Sequence, residues 1–219
     1  MTVPVEAVLL EGQRRGLLGP GPIVGQIEHA LAFGQVAGEF AAPEAGGRAL
    51  DLGSGGGLPG LVLAAAGLPC AVAWTLLDSR QRSVSFLREA VAQLALEERV
   101  SVTEGRAEDV GRDESYRARF RLVTARGFGP PAVTAECAAP LLQPGGLLVV
   151  SEPPGSAGER WPSDALERLG MRLNRVEQLH QGGFAVLEQA STCPDAFPRR
   201  SGVPAKRPLW VSRETSATT

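Results

Sequence analysis

The run DLGSGGGLPG at residues 51–60, set directly behind the apolar stretch ALDL (49–52), constrains the fold of this chain more than any other feature. A buried strand that passes at once into glycines can turn sharply, take positive φ and bring backbone close to a ligand. In a parallel α/β sheet the first strand-to-helix turn is where a nucleotide-bearing cofactor sits. LPGLVLAAAG (58–67) then reads as the following helix, with Pro59 at its first position and Gly67 as its stop.

Downstream, strand-like and helical periods alternate. AWTLLD (73–78), RVSVTEG (99–105), FRLVTAR (120–126) and LLVVS (147–151) read as strands. Residues 82–96 place Val84, Leu87, Val91 and Leu94 on one helical stripe, and PAVTAECAAPLL (131–142) is helical up to the QPGG turn. This order predicts a doubly wound α/β sheet, mostly parallel, with helices on both faces. MRLNRVEQL (171–179) and FAVLEQ (184–189), joined by HQGG after a short helix near 163–169, predict an antiparallel hairpin at the sheet edge. Ile23, Ile27, Ala30 and Leu31 recur at helical spacing in an N-terminal segment broken by GLLGPGP (16–22). Three parts follow: a helical segment 1–45 ending in the linker AAPEAGG, an α/β domain 46–190, and a basic Pro/Arg-rich tail 191–219.

The glycine turn admits two ligands. Gly55, Gly57 and Gly60 fit G-x-G-x-x-G, which meets the pyrophosphate of a nicotinamide or flavin dinucleotide. Asp51, Gly53 and Gly55 form D-x-G-x-G instead. A carboxylate at the strand tip repels pyrophosphate but suits a cation carrying an ammonium and a sulfonium, which is S-adenosylmethionine. Pro59 also removes one amide that a phosphate would use. Asp78 ends the second strand, where an acid accepts hydrogen bonds from ribose hydroxyls, although it can equally cap the next helix. Ala107 and Glu108 follow the third strand, where a loop can cover adenine, and Glu108 also reads as a solvated acid at a helix start. Arg126, at the carboxyl edge of the fourth strand, can fork onto a ligand carboxylate, onto a substrate phosphate, or onto a neighbouring acid.

Composition excludes several chemistries. Lysine-based Schiff-base catalysis has only Lys206 to draw on. Cys70, Cys137 and Cys193 lie far apart and His29 and His180 complete the histidines, so a Cys/His metal site and a disulfide scaffold are both disfavoured. With 22 basic against 24 acidic residues, formal charge −2, there is no chain-wide basic surface. The start lacks a signal-peptide pattern, and the longest apolar run, Leu68 to Leu77, is half a membrane span, so a cytoplasmic protein without membrane contact is expected.

DLGSGGGLPG (51–60), LLDSRQRSVSFL (76–87), GRAED (105–109), TARG (124–127) and FPRRSGVPAKRPL (197–209) together resemble the RsmG (GidB) family, bacterial enzymes that methylate N7 of a guanine in small-subunit ribosomal RNA. The resemblance covers residues 48–151 and returns at 197–209. It implies a class I methyltransferase (Rossmann-like) fold, S-adenosylmethionine as donor, and a monomer acting on 16S rRNA or the small subunit. It also implies cofactor contacts at Gly53, Leu58, Ala107, Glu108 and Arg126. Three positions depart from the family pattern. His29-Ala30-Leu31-Ala32-Phe33 stands for H-x-x-D-S, Asn-Leu-Thr is missing upstream, and Glu152-Pro153 stands for Lys-Gly. An anion at Glu152 is expected to oppose phosphate binding there.

Guanine N7 carries a free lone pair, so methylation needs no proton removed, and no catalytic acid or base is assigned. Catalysis by placement contributes roughly 7–11 kcal/mol. RNA contact is expected from Arg199, Arg200, Lys206 and Arg207, with Arg14 and Arg15 extending the patch. Two other readings remain open: a methyltransferase for another RNA or a small molecule, and a non-catalytic nucleotide- or RNA-binding module.

Overall fold

A computed structural model describes residues 3–38, 47–68 and 72–211; most of the expected linker, and Cys70, lie outside them. Two helices, α1 (Val5–Arg14) and α2 (Ile23–Ala37), precede the sheet. The α/β units are β1 (Arg48–Leu52), α3 (Gly60–Ala65), β2 (Ala73–Asp78), α4 (Gln81–Gln93), β3 (Val100–Glu104), α5 (Ala107–Val110), β4 (Phe120–Ala125), α6 (Pro131–Ala138) and β5 (Leu142–Glu152). The chain closes with α7 (Ser163–Glu167), β6 (Met171–Leu179), β7 (Gly182–Gln189) and α8 (Val203–Lys206).

The strands form one sheet of order β3-β2-β1-β4-β5-β7-β6. The first five are parallel, and β7 pairs antiparallel with both β5 and β6. The expected hairpin is therefore present, with its second strand inserted next to β5. The strand order reverses between β1 and β4, so the connections leaving their carboxyl ends run to opposite faces of the sheet and leave a crevice, the usual ligand position in such sheets.

Alternation along the strands distributes the core. Leu147 and Val149 of β5, with Phe184 and Val186 of β7, join the layer under α1, α2, α3 and α4. Leu148, Val150, Ala185 and Leu187 join the layer under α5, α6 and α7. Because helices cover both faces, the inner strands are apolar on both sides rather than amphipathic. The stripe on α4 behaves as its spacing requires: Val84, Leu87 and Val91 are buried.

Two boundaries differ from the sequence reading. Pro59 precedes α3 instead of opening it, and α3 starts at Gly60. QPGG belongs to β5, where a register shift opposite Phe120 and Leu122 absorbs the turn-like residues. A larger finding concerns the C-terminus. Arg112 Nε and Nη2 donate to the Pro198 carbonyl at 2.9 and 2.6 Å, and Arg117 donates to the carbonyls of Cys193, Pro194 and Phe197. Residues 193–210 are thus a strap packed along α5 and α6.

Candidate active site

The first cavity, about 340 Å³, opens at the carboxyl ends of β1, β2, β3 and β4, large enough for a nucleoside-sized ligand. Of the residues expected at a cofactor, Gly53, Asp78, Ala107 and Glu108 line it. Asp51, Gly55, Leu58 and Arg126 do not, and each has a definite place nearby.

Gly53 needs its φ of +73°, and a side chain there would meet the Phe128 ring at 2.7 Å. The Gly55 amide donates to Asp78 Oδ2 at 2.8 Å, while the Arg80 amide donates to Asp78 Oδ1 at 2.8 Å. One carboxylate therefore ties the glycine turn to the start of α4 and still faces the cavity with lone pairs to offer. Leu58 is buried with Leu9, Ile23 and Val62, so its side chain docks the N-terminal helices onto the turn.

Asp51 lies behind the turn, 1% exposed. Thr124 Oγ1 donates to its Oδ1 at 2.7 Å, whereas Oδ2 has no hydrogen-bond partner among the described residues. Burial pushes this carboxyl up to about 6. A buried oxygen left unpaired is costly, and an ammonium group is the complement it lacks. Arg126 stands close enough for the two charges to interact.

Glu108 accepts from the Gly202 amide at 2.8 Å, and Ala205 of the strap lines the same cavity. The cavity wall is therefore built partly from the far end of the sequence. Cys137 also lines it, but burial pushes its thiol up, which makes it wall rather than nucleophile. Arg80, Phe128, Cys137 and Ala205 were not singled out by sequence reasoning. Phe128 follows Arg126 closely enough for the strand end to have suggested it, while Ala205 lies within the motif FPRRSGVPAKRPL, whose sequence does not tell that it reaches the cavity.

A second cavity of about 390 Å³ adjoins the first through Gly127 and Phe128. His29, Arg126, Glu152 and Arg160 line it. His29 meets Phe33 edge to face at a ring separation of 5.5 Å and lies tilted against Phe184 at 5.2 Å. Burial, with the Arg126 charge second, holds its imidazole down at about 4, so it is neutral at physiological pH.

A family model described as GidB, rRNA small subunit methyltransferase G, matches residues 5–153. The chain belongs to this family. Ribosomal RNA small subunit methyltransferase G of Symbiobacterium thermophilum is 39% identical over 195 residues, 84% of this chain and 78% of that protein. The protein of the same name from Moorella thermoacetica is 34% identical over 171 residues, 74% and 69% of the two chains. Among solved structures, cofactor-bound Rv0187 from MTB superposes with TM-score 0.59 at 19% identity, covering 86% of this chain and 91% of that one. An O-methyltransferase from Bacillus cereus, solved in complex with SAH, gives 0.58 at 18%, covering 84% and 89%. At such identities the likeness concerns the fold alone, and it is the Rossmann-like fold of class I methyltransferases. The GidB match ends at Pro153, so the strap that completes the first cavity lies beyond it.

The charged residues expected to face RNA divide in two. Arg199 donates Nε and its amide to Glu136 Oε1 at 2.8 and 2.9 Å, and Nη2 to Oε2 at 2.6 Å. Glu136 is 0% exposed, so Arg199 neutralises a core carboxylate and fastens the strap to α6. Arg200, Lys206 and Arg207 are exposed. The expectation for Glu152 changes as well. Its carboxylate is buried and accepts from Ser156 Oγ at 2.6 Å, Arg160 Nη1 at 3.1 Å and Trp161 Nε1 at 3.1 Å, so it presents no anion at the surface.

Proposed function

We propose that this chain transfers a methyl group from S-adenosylmethionine to N7 of a guanine in 16S rRNA, as a cytoplasmic monomer. Membership of the family described as rRNA small subunit methyltransferase G carries the reading. What supports the donor is the unpaired, buried Asp51 Oδ2 beside a nucleoside-sized cavity that Asp78 faces. Bound there, S-adenosylmethionine supplies an electrophilic methyl carbon.

The chain's own residues bind and orient. Asp51 would pair with the ammonium and Asp78 would accept from the ribose hydroxyls. Gly53, Gly55 and Leu58 shape the turn around the donor, Ala107 and Glu108 flank the adenine, and Arg126 answers a carboxylate or an acceptor phosphate. No group removes a proton, because N7 enters with its lone pair free. Neutral His29 fits that requirement: in the second cavity it adds no charge to be desolvated. Placement of two reactants in adjoining cavities, with water excluded between them, is the source of rate. Arg200, Lys206 and Arg207 supply cationic surface for the RNA backbone.

The test is transfer of tritiated methyl from the donor to small subunits, or to 16S rRNA, from a strain lacking the protein, followed by mapping of the label. Label at one guanine, removable by N7-specific strand cleavage, is expected. Label on another base, or on a small molecule in the extract but not on rRNA, would overturn the acceptor and favour the alternative methyltransferase. Absence of donor binding in calorimetry would favour a binding module.

A further inference from the structure

The second cavity contains a guanidinium, that of Arg160, held by a buried acid through a single nitrogen, unlike Arg199, which spends both Nε and Nη2 on Glu136. Arg160 sits in the segment between β5 and α7, its side chain 23% exposed. Its Nη1 donates to Glu152, whose side chain is 0% exposed. Glu152 is in turn fixed by Ser156 and Trp161, so all its bonds lie on the protein side. The Arg160 backbone is pinned too: Trp210 of the strap donates Nε1 to its carbonyl at 3.0 Å, and the Trp161 and Trp210 rings meet edge to face at 6.5 Å.

An arginine carries five N–H donors, and among the described residues only one nitrogen of Arg160 is engaged. The remaining donors belong to a side chain that lines the cavity together with Arg126. Two guanidiniums against one carboxylate leave the cavity positive. A buried acid holding an arginine in one rotamer removes the entropy that a flexible cation loses on binding, and it leaves a planar fork suited to a phosphate.

Resting on the reading above, we propose that Arg160 binds a backbone phosphate of the acceptor RNA at the mouth of the second cavity, with Glu152 as the positioning residue that aims it. The target base then enters between Arg160 and the donor cavity, on the side that Gly127 and Phe128 share.

The experiment compares wild type, Arg160→Ala, Arg160→Lys and Glu152→Gln for donor affinity, for methyl transfer to 16S rRNA, and for RNA binding across salt concentrations. Arg160→Ala takes one partner from buried Glu152, so a lowered Tm is expected, but Ser156 and Trp161 still hold the carboxylate. Thermal melts establish that each variant is folded at the assay temperature. Arg160→Ala is expected to raise KM for RNA about tenfold or more with kcat within about twofold and donor affinity unchanged. Its log–log salt slope becomes shallower by about 0.7–0.9, the release from one phosphate. Arg160→Lys keeps the slope, because a point charge still condenses on phosphate. Glu152→Gln reproduces the KM rise, and its combination with Arg160→Ala adds nothing further. A slope unchanged in Arg160→Ala overturns the proposal, as does a fall in donor affinity of the same size. If wild type transfers no methyl yet binds the RNA, the functional reading fails while the slope still decides Arg160. If wild type does not bind the RNA at all, both fall.

Discussion

Replacing Arg199 with Ala distinguishes a structural arginine from an RNA-binding one, and the two roles predict different measurements. The guanidinium makes two side-chain hydrogen bonds to a carboxylate that water does not reach. Arg199→Ala leaves Glu136 charged, buried and held only by the Arg199 amide. Removing one partner of a buried pair costs about 3–5 kcal/mol. The lower end applies here, because Arg199 itself is 27% exposed and part of the attraction is screened. For a chain of this size each kcal/mol moves Tm by about 2–4 °C, so a loss of about 3 kcal/mol lowers it by roughly 6–12 °C. The reverse change, Glu136→Gln, costs less, about 1–2 kcal/mol, since the stranded guanidinium can turn into solvent and hydrate. That asymmetry identifies the mechanism. Urea denaturation of the two single variants and the double variant measures it, and the double is expected to recover part of the Arg199→Ala loss. Donor affinity should fall with Arg199→Ala as well, because the strap it secures carries Ala205 and Gly202 to the first cavity. Arg200→Ala, from an exposed position, should weaken RNA binding and leave Tm unchanged. Wild-type stability in Arg199→Ala with weakened RNA binding would refute the structural assignment.

Two further outcomes concern the donor. Asp51 titrates near 6 when folded against an ordinary 3.8, so the folded state holds its proton more tightly and the group's contribution to stability falls as pH rises from about 4 to 6. The stability difference between Asp51→Asn and wild type should therefore grow in the variant's favour by about 2 kcal/mol from pH 4 to 7, by denaturation at each pH. The variant should also bind S-adenosylmethionine at least tenfold more weakly. Wild-type binding near pH 6 should release protons, seen by calorimetry in buffers of different ionisation enthalpy. Asp78→Ala should weaken donor binding by about 1.5–3 kcal/mol and also lower Tm, because the same carboxylate holds the Gly55 and Arg80 amides. Unchanged donor affinity would remove Asp78 from the ribose.

The parallel sheet was legible because its information is local. ALDL, AWTLLD and FRLVTAR are short apolar runs bounded by turn residues, and β1, β2 and β4 fall on them to within a residue. The glycine turn and Asp78 were legible for the same reason: both belong to strand ends whose chemistry is written next to the strand. QPGG misled because its turn-forming residues sit in a bulge that β5 absorbs while pairing with β4. Glu152 misled for a different reason. A charge read against its sequence neighbours looks solvated, but Ser156, Arg160 and Trp161 fold back over it through a loop whose path no periodicity reveals. The strap was legible as motif and illegible as structure: FPRRSGVPAKRPL was recognisable, yet its contacts with Glu108, Glu136 and Arg112 span long stretches of chain.

Those contacts also explain why net charge is a poor guide to how much cationic surface the protein exposes. The basic residues are arginine except Lys206, and several of them act inside the protein as clamps on main-chain carbonyls. Arg99 donates to the Ala64 carbonyl, Arg112 to that of Pro198, Arg117 to those of the strap, and Arg175 to that of Val36. A guanidinium can span two acceptors in one plane, which an ammonium cannot do, so arginine suits a fold that ties a C-terminal strap and an N-terminal helix to one sheet. Each such arginine counts toward the formal charge while presenting little of it to a polyanion. With those arginines engaged internally, the proposed RNA contacts rest on exposed Arg200, Lys206 and Arg207 and on Arg160 in the second cavity. An acceptor strand held from both directions would lie across the shared Gly127–Phe128 edge, where a base leaving its stack has the shortest route to the donor.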